Sequence, residues 1–122
     1  HRDFYPDQVI VDGDRLYITD FDLYCLGDPA LDIGNFLGHI AEFSLRTYDN
    51  PQTLGHLEEA LKDRFAQLSG DSIRPIVQAY ATLTLVRHIY LSTLFPERRV
   101  LTEKLIDICE ERLGVTQKQF SS

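Results

Sequence analysis

The stretch from His1 to Gly34 constrains this chain more than any other. It places three acidic clusters in order, Asp3 with Asp7, Asp20 with Asp22, and Asp28 with Asp32, and separates them by apolar segments. The β-branched run Val9-Ile10-Val11 leads into Asp12-Gly13-Asp14, and Leu16-Tyr17-Ile18-Thr19 returns as a second apolar run. Asp-Gly between two such runs is a strong hairpin signal. A hairpin here carries Asp20 back to the end where Asp3 and Gln8 sit. Apolar segments hold carboxylates in place and turns bring them together, which is what a divalent-metal and proton-transfer site needs.

Beyond the hairpin the pattern is helical. Asp28-Pro29 is a helix start, with Asp28 as N-cap and Pro29 at the first helical position. Ile33, Phe36, Leu37 and Ile40 then share one face. Asn50-Pro51 breaks the chain. Leu54, Leu57, Leu61, Phe65 and Leu68 make the stripe of a second helix, opposite a charged face of Glu58, Glu59, Lys62 and Asp63, and Gly70 ends it. Asp71 or Ser72 is expected to cap a third helix, with Pro75 in its first turn. Its main line is Ile76, Tyr80, Leu83, Arg87, Tyr90 and Leu94, with Val77, Leu85, Val86 and Leu91 alongside. As the most apolar helix it is expected at the centre. Phe95-Pro96 stops it. A fourth helix uses Leu101, Leu105, Ile108 and Leu113 before Gly114, and the polar tail Gln117 to Ser122 is expected to fray.

The chain has 122 residues, enough for one domain with a real core. It contains no Met and opens on the first acidic cluster, so it is expected to be a fragment of something longer. Its formal net charge of −7 argues against a nucleic-acid partner, which needs a basic face. That charge is compatible with a cationic small-molecule partner, although ordinary acidic solubility is the plainer account of it. No apolar run approaches membrane-spanning length, so no membrane partner is expected. Cys25 and Cys109 lack the spacing of a metal or redox motif, which suits free thiols in a reducing cytoplasm.

The spacing of the acidic clusters is itself informative. Asp3 precedes the amide of Gln8 by five positions, as a catalytic-loop Asp precedes a metal-binding amide in kinases. With the hairpin, Asp20-Phe21-Asp22 and Gly27-Asp28-Pro29-Ala30-Leu31-Asp32-Ile33, the stretch resembles the catalytic core of the aminoglycoside phosphotransferase and choline kinase family, within the protein-kinase-like fold. The family pattern is His-x-Asp, four residues, Asn, a hairpin, Ile-Asp-Phe followed by Gly, Glu or Asp, then Gly-Asp-Pro-x-x-Asp followed by Leu or Ile. Gln8 stands where that family has Asn. The resemblance covers about a quarter of the chain.

Several roles follow from that resemblance. Asp3 is the base that accepts or orients the acceptor hydroxyl. Asp20 is the main Mg2+ ligand, Gln8 offers a second oxygen from one methylene further out than Asn, and Asp22 is a further ligand or a support for one. Asp32, expected to be buried or nearly so, supports the loop through its backbone, and His1 packs and hydrogen-bonds there. ATP is the phosphoryl donor, Mg2+ the cofactor and a small-molecule hydroxyl the acceptor. Against these roles stand plainer ones: Asp3 and Asp7 are good turn residues, and Asp20 and Asp22 could simply close the hairpin. His39, His56 and His88 lie on helices without ligand spacing and are expected to be ordinary surface or core histidines.

His1-Arg2-Asp3 is spelled as in protein kinases, but only 11 residues separate Asp20 from Asp32. A protein kinase places an activation segment and an Ala-Pro-Glu motif in that interval. The acceptor is therefore expected to be a small hydroxylated molecule. The expected fold is mainly α with some β (α+β): the C-terminal lobe of a kinase-like phosphotransferase, one β-hairpin followed by about four helices. Residues 1–27 hold the catalytic loop, hairpin and metal motif, and residues 28–122 the helical subdomain. The N-terminal nucleotide-binding lobe, with its Gly-rich loop and phosphate-binding Lys, is absent from these residues, so the isolated segment is expected to be inactive. Two alternatives are a catalytically inactive kinase-like lobe acting as a binding module and a metal-dependent phosphoesterase using Asp3, Asp20 and Asp22.

Overall fold

A computed structural model describes residues 1–114; the tail from Gln117 to Ser122, expected to fray, lies outside the described residues. Among them, one two-stranded antiparallel hairpin is followed by four α-helices. Strand β1 (Val9–Asp12) pairs with β2 (Arg15–Ile18), Val9 opposite Ile18 and Asp12 opposite Arg15. Gly13 and Asp14 form the turn. Gly13 takes φ +62 while Asp14 stays at negative φ, the arrangement of a II′ turn, whose twist matches that of the strands. Beyond Ile18 the ladder continues by one bond, from Thr19 N–H to the Gln8 carbonyl at 2.9 Å. The hairpin lies on the surface, with Ile10, Val11, Leu16, Tyr17 and Ile18 all exposed.

Helix α1 (Pro29–Tyr48) starts as its sequence dictates. The Asp28 carboxylate accepts from Ala30 N–H at 3.0 Å, and Pro29 fills a first-turn position where no N–H is needed. Asp49 ends it in the left-handed region at φ 55. Helix α2 (Gly55–Ser69) stops at Gly70, whose φ of 97 suits glycine. The expected side-chain cap on the third helix is not made. Asp71–Ile73 instead form a short 3-10 turn that leads directly into α3 (Arg74–Leu94), and the Asp71 carboxylate accepts from Arg74 Nε at 3.2 Å. A second 3-10 segment, Pro96–Leu101, joins α3 to α4 (Thr102–Arg112).

α3 is central, but not through the expected line. Ile76, Leu83, Tyr90 and Leu94 are exposed, whereas Val77, Ala81, Thr84, Leu85, His88 and Ser92 are buried. The reason is close helix packing. A Cβ added to Gly34 would lie 2.3 Å from Tyr80 Cβ, and one on Gly38 would lie 2.6 Å from Thr84 Cβ. α1 and α3 therefore meet over glycine, alanine and threonine, and bulky residues on α3 are displaced outward. Gly34 meets Tyr80, Gly38 meets Thr84 and His39 meets His88, so the two helices run in the same sense.

The core has two halves. Leu37, Ile40, Val77 and Ala81 gather Leu61 and Phe65 from α2, and Ala41, Leu45 and Leu85 join Leu105, Ile108 and Cys109 from α4. Leu57, Leu68 and Leu113, expected in apolar stripes, are exposed. Glu58, expected on a charged outer face, is buried; Arg112 Nη2 reaches its Oε1 at 3.2 Å, and burial still holds the carboxyl above its ordinary range against that guanidinium.

Candidate active site

The loop His1–Gln8 is held from below by α1. His1 N donates to Asp32 Oδ2 at 3.0 Å and Arg2 N–H donates to Oδ1 at 2.9 Å, so one carboxylate clamps two successive backbone nitrogens. Asp32 is half-buried, less enclosed than expected, because its oxygens point out of the helix start toward the loop. One turn on, Asn35 Nδ2 donates to the Phe4 carbonyl at 2.9 Å, and its Oδ1 accepts from Thr84 Oγ1 at 2.9 Å. The loop thus bears on α3 as well as α1.

His1 joins the loop to the hairpin. Asp3 N–H donates to His1 Nδ1 at 3.2 Å, so the ring proton sits on Nε2, which donates to the Thr19 carbonyl at 2.7 Å. Phe4 and Phe21 flank the ring at 5.7 and 5.2 Å. The hairpin then returns Asp20 beside Gln8, whose Nε2 donates to Asp20 Oδ2 at 3.2 Å. Gln8 is buried, and its Oε1 accepts from Thr19 Oγ1 at 3.0 Å. Arg2 and Asp20, at φ 72 and 61, are both in the left-handed region. Such backbone costs about 1–3 kcal/mol per residue and clusters at functional sites.

Asp3 is half-buried, and nothing among the described residues bonds its carboxylate. Burial, then the charges of Asp3, Asp7 and Asp20, hold the Tyr5 phenol above its ordinary range, so all three acids bear on one neighbourhood. Asp22 is exposed two residues beyond Asp20 and has no hydrogen bond among the described residues. Among them, no three His, Cys, Asp or Glu side chains come together as a metal cluster.

Asp3 also stands at the edge of a groove of about 720 Å3 between the loop, α1 and α3. Phe36, His39, Phe43 and Arg46 line its α1 side and Arg87, His88 and Leu91 its α3 side. His39 stacks on Tyr5 at 4.6 Å and meets the edge of His88 at 4.7 Å. His88 Nδ1–H donates to the Thr84 carbonyl at 2.9 Å, which leaves Nε2 as an acceptor. Burial, with the charges of His88 and Arg87 adding to it, lowers His39 to about 4; Glu42 and Asp7 oppose this. The His39 imidazole therefore presents a neutral hydrogen-bonding edge.

No family model, curated protein or solved structure matches the chain. No helix among the described residues is long and apolar enough to cross a membrane.

Sequence reasoning placed Asp3, Gln8, Asp20, Asp32 and His1 in one neighbourhood, and the structure brings them together. It missed the groove. His39 and His88 are each unremarkable on their own helices, and they meet only because Gly34 and Gly38 let α1 and α3 approach. The available signal was the spacing of Phe36, His39, Phe43 and Arg46, a helical face that mixes apolar and polar groups.

Proposed function

We propose that this chain forms the larger lobe of a Mg2+-dependent, aminoglycoside-phosphotransferase-like kinase that moves the γ-phosphate of ATP onto a hydroxyl of a small molecule. The observation that carries this reading is the placement of Asp3. Its carboxylate is free, half-buried and at the edge of a groove, while Gln8 holds Asp20 at the adjoining hairpin end. Phosphoryl transfer asks little covalent chemistry of a protein: it needs a positioned hydroxyl, a carboxylate to take its proton, and cations on the phosphate oxygens.

In this reading the acceptor oxygen bonds to the γ-phosphorus as the bond from that phosphorus to the β–γ bridging oxygen breaks. ADP leaves, and the hydroxyl proton passes to Asp3. Mg2+, when bound, neutralises charge on the phosphate oxygens. Asp20 would hold it first, with Gln8 as second oxygen donor and Asp22, two residues on, as a further ligand or a support for one. The hydrogen bonds around Gln8 fit that role. Its amide now turns Nε2 to Asp20, but a half-turn brings Oε1 there instead. Thr19 Oγ1 would then accept from Nε2 and donate to the Gln8 carbonyl, already 3.3 Å away. The present orientation satisfies the buried amide by itself, and the turned one would do so with a cation on Oε1. Asp32, His1 and Asn35 fix the loop that carries Asp3.

The test is kinetic, in the full-length protein with ATP and a panel of hydroxylated acceptors. Asp3→Asn is expected to lower turnover by about 1,000-fold or more with nucleotide affinity near wild type, and Asp20→Asn to weaken Mg-nucleotide binding. An Asp3→Asn protein that kept most of its activity would refute the assignment. Hydrolysis of phosphate esters without ATP would select a phosphoesterase, and neither activity would select a binding module.

A further inference from the structure

The groove beside Asp3 differs in charge from one end to the other. Phe36, His39, Phe43 and Arg46 follow one another along a single face of α1, and Phe36 packs against Phe4 at 4.9 Å, next to Asp3. Ten helical residues from Phe36 to Arg46 span about 15 Å. Asp3 and Asp7 lie at the near end. Arg87 lies on the α3 side level with His39, and Arg46 and Arg98 lie at the far end, Arg98 just past the end of α3.

These arginines are not equally committed. Arg46 Nε is bound to Glu42 Oε1 at 3.0 Å and stacks over Phe43 at 5.5 Å. Arg98 stacks over Phe95 at 5.4 Å and has no acidic partner among the described residues. Arg87 has none either. Glu42 is taken by Arg46, and the other two carboxylates of the groove, Asp3 and Asp7, lie at its near end. Two arginines therefore line the groove with no carboxylate on their guanidiniums, whose forked donors suit carboxylate or phosphate oxygens.

At the arginine end a cationic occupant is served less well. A cation is held by free aromatic faces or free carboxylates. The Tyr5 face is covered by His39, and Phe43 already carries Arg46. Asp3 is committed to the hydroxyl under the proposed function, and Asp7 lies on the same loop at the near end, away from Arg46 and Arg98.

We infer that the acceptor is an anionic polyhydroxylated molecule, its reacting hydroxyl at Asp3 and its carboxylate or phosphate held by Arg87 and Arg98. The inference rests on the phosphotransfer reading for the role of Asp3, and on the groove alone for the anion. His39 and His88 line the groove between and offer hydrogen bonds to further hydroxyls.

The test uses four probes of one size: gluconate, glucose 6-phosphate, glucose and glucosamine. Each is titrated calorimetrically into the protein at low and moderate salt, and into R87Q/R98Q and R87K/R98K variants whose helicity is checked by circular dichroism. Gluconate or glucose 6-phosphate is expected to bind more tightly than glucose, and glucosamine least tightly. R87Q/R98Q should weaken the anion by about tenfold or more, because each arginine supplies a charge-assisted bond. R87K/R98K should keep the salt dependence. Which anion prevails separates a carboxylate from a phosphate site. Preference for glucosamine, binding indifferent to R87Q/R98Q, or no binding of any probe would overturn the inference. Mg-ATP-dependent phosphorylation of glucosamine alone would leave the phosphotransfer reading standing and sink the anion site. Arginine-dependent anion binding without phosphorylation would do the reverse.

Discussion

Replacing Asp32 by alanine separates support of the loop from binding of a substrate. Its carboxylate accepts two backbone bonds, at 3.0 and 2.9 Å, from His1 and Arg2. A hydrogen bond to a charged group contributes about 1.5–3 kcal/mol. The side chain keeps 27% of its exposure, so water replaces part of what is lost. The two bonds together are then worth about 2–3 kcal/mol. For a domain of this size that lowers the melting temperature by about 8–12 °C. Arg2 is also held at φ 72, and without the clamp on its N–H that strained conformation loses its main restraint. The assay is thermal unfolding by circular dichroism together with hydrogen exchange at the Arg2 amide. Both are expected to change in Asp32→Ala, and Asp32→Asn, which keeps one strong acceptor, should fall between. Unchanged melting and an equally protected Arg2 amide would refute the clamp, and would point instead to a direct contact between Asp32 and a substrate.

His39 titrates near 4 in the fold and near 6.5 in the unfolded chain, so between those values the unfolded state binds the extra proton and stability falls as pH falls. Discounted for solvent reaching the ring, the loss from pH 7 to pH 4 is about 2 kcal/mol, read as the difference in urea midpoint between wild type and His39→Phe. Gly38→Ala pushes a methyl to 2.6 Å from Thr84 Cβ; overpacking of about 1–3 kcal/mol outweighs the gain in helix propensity of about 1. A net loss in denaturant stability is expected, and an increase would contradict the close packing. Arg112→Ala strands the buried Glu58 carboxylate and is expected to cost about 3 kcal/mol, most of it recovered in the Glu58→Gln, Arg112→Ala double variant.

Local chemistry was legible in the sequence where one short segment decides the outcome. Asp12-Gly13-Asp14 specified the turn, Asp28-Pro29 the start of α1, Gly70 the end of α2 and Phe95-Pro96 the end of α3. What failed was the choice of buried face on α3. Periodicity favours the bulkiest line, but α1 offers glycines, and the face that fits against glycine is the one with Ala81 and Thr84. The loop and hairpin half of the site was readable because its residues lie within a single stretch of chain. The groove was not, since His39, His88, Arg87 and Arg98 come from separate segments and none carries a distinctive neighbourhood in sequence.

Residues 32–38 of α1 tie these two levels together. Asp32 and Asn35 face the loop, and Gly34 and Gly38 face α3. Gly38 brings α1 down onto Thr84, and Thr84 Oγ1 donates to the same Asn35 amide that holds the Phe4 carbonyl. Phe4 follows Asp3 directly. A methyl at Gly38 therefore moves Thr84, loosens Asn35 and displaces the carboxylate at the edge of the groove, although Gly38 touches neither loop nor groove. Positioning of Asp3 is in this sense a property of helix packing. The same approach sets the contact between His39 and His88, so the groove lining and the loop respond to one spacing between α1 and α3. That is a reason for glycine at positions 34 and 38, where alanine would suit an isolated helix better.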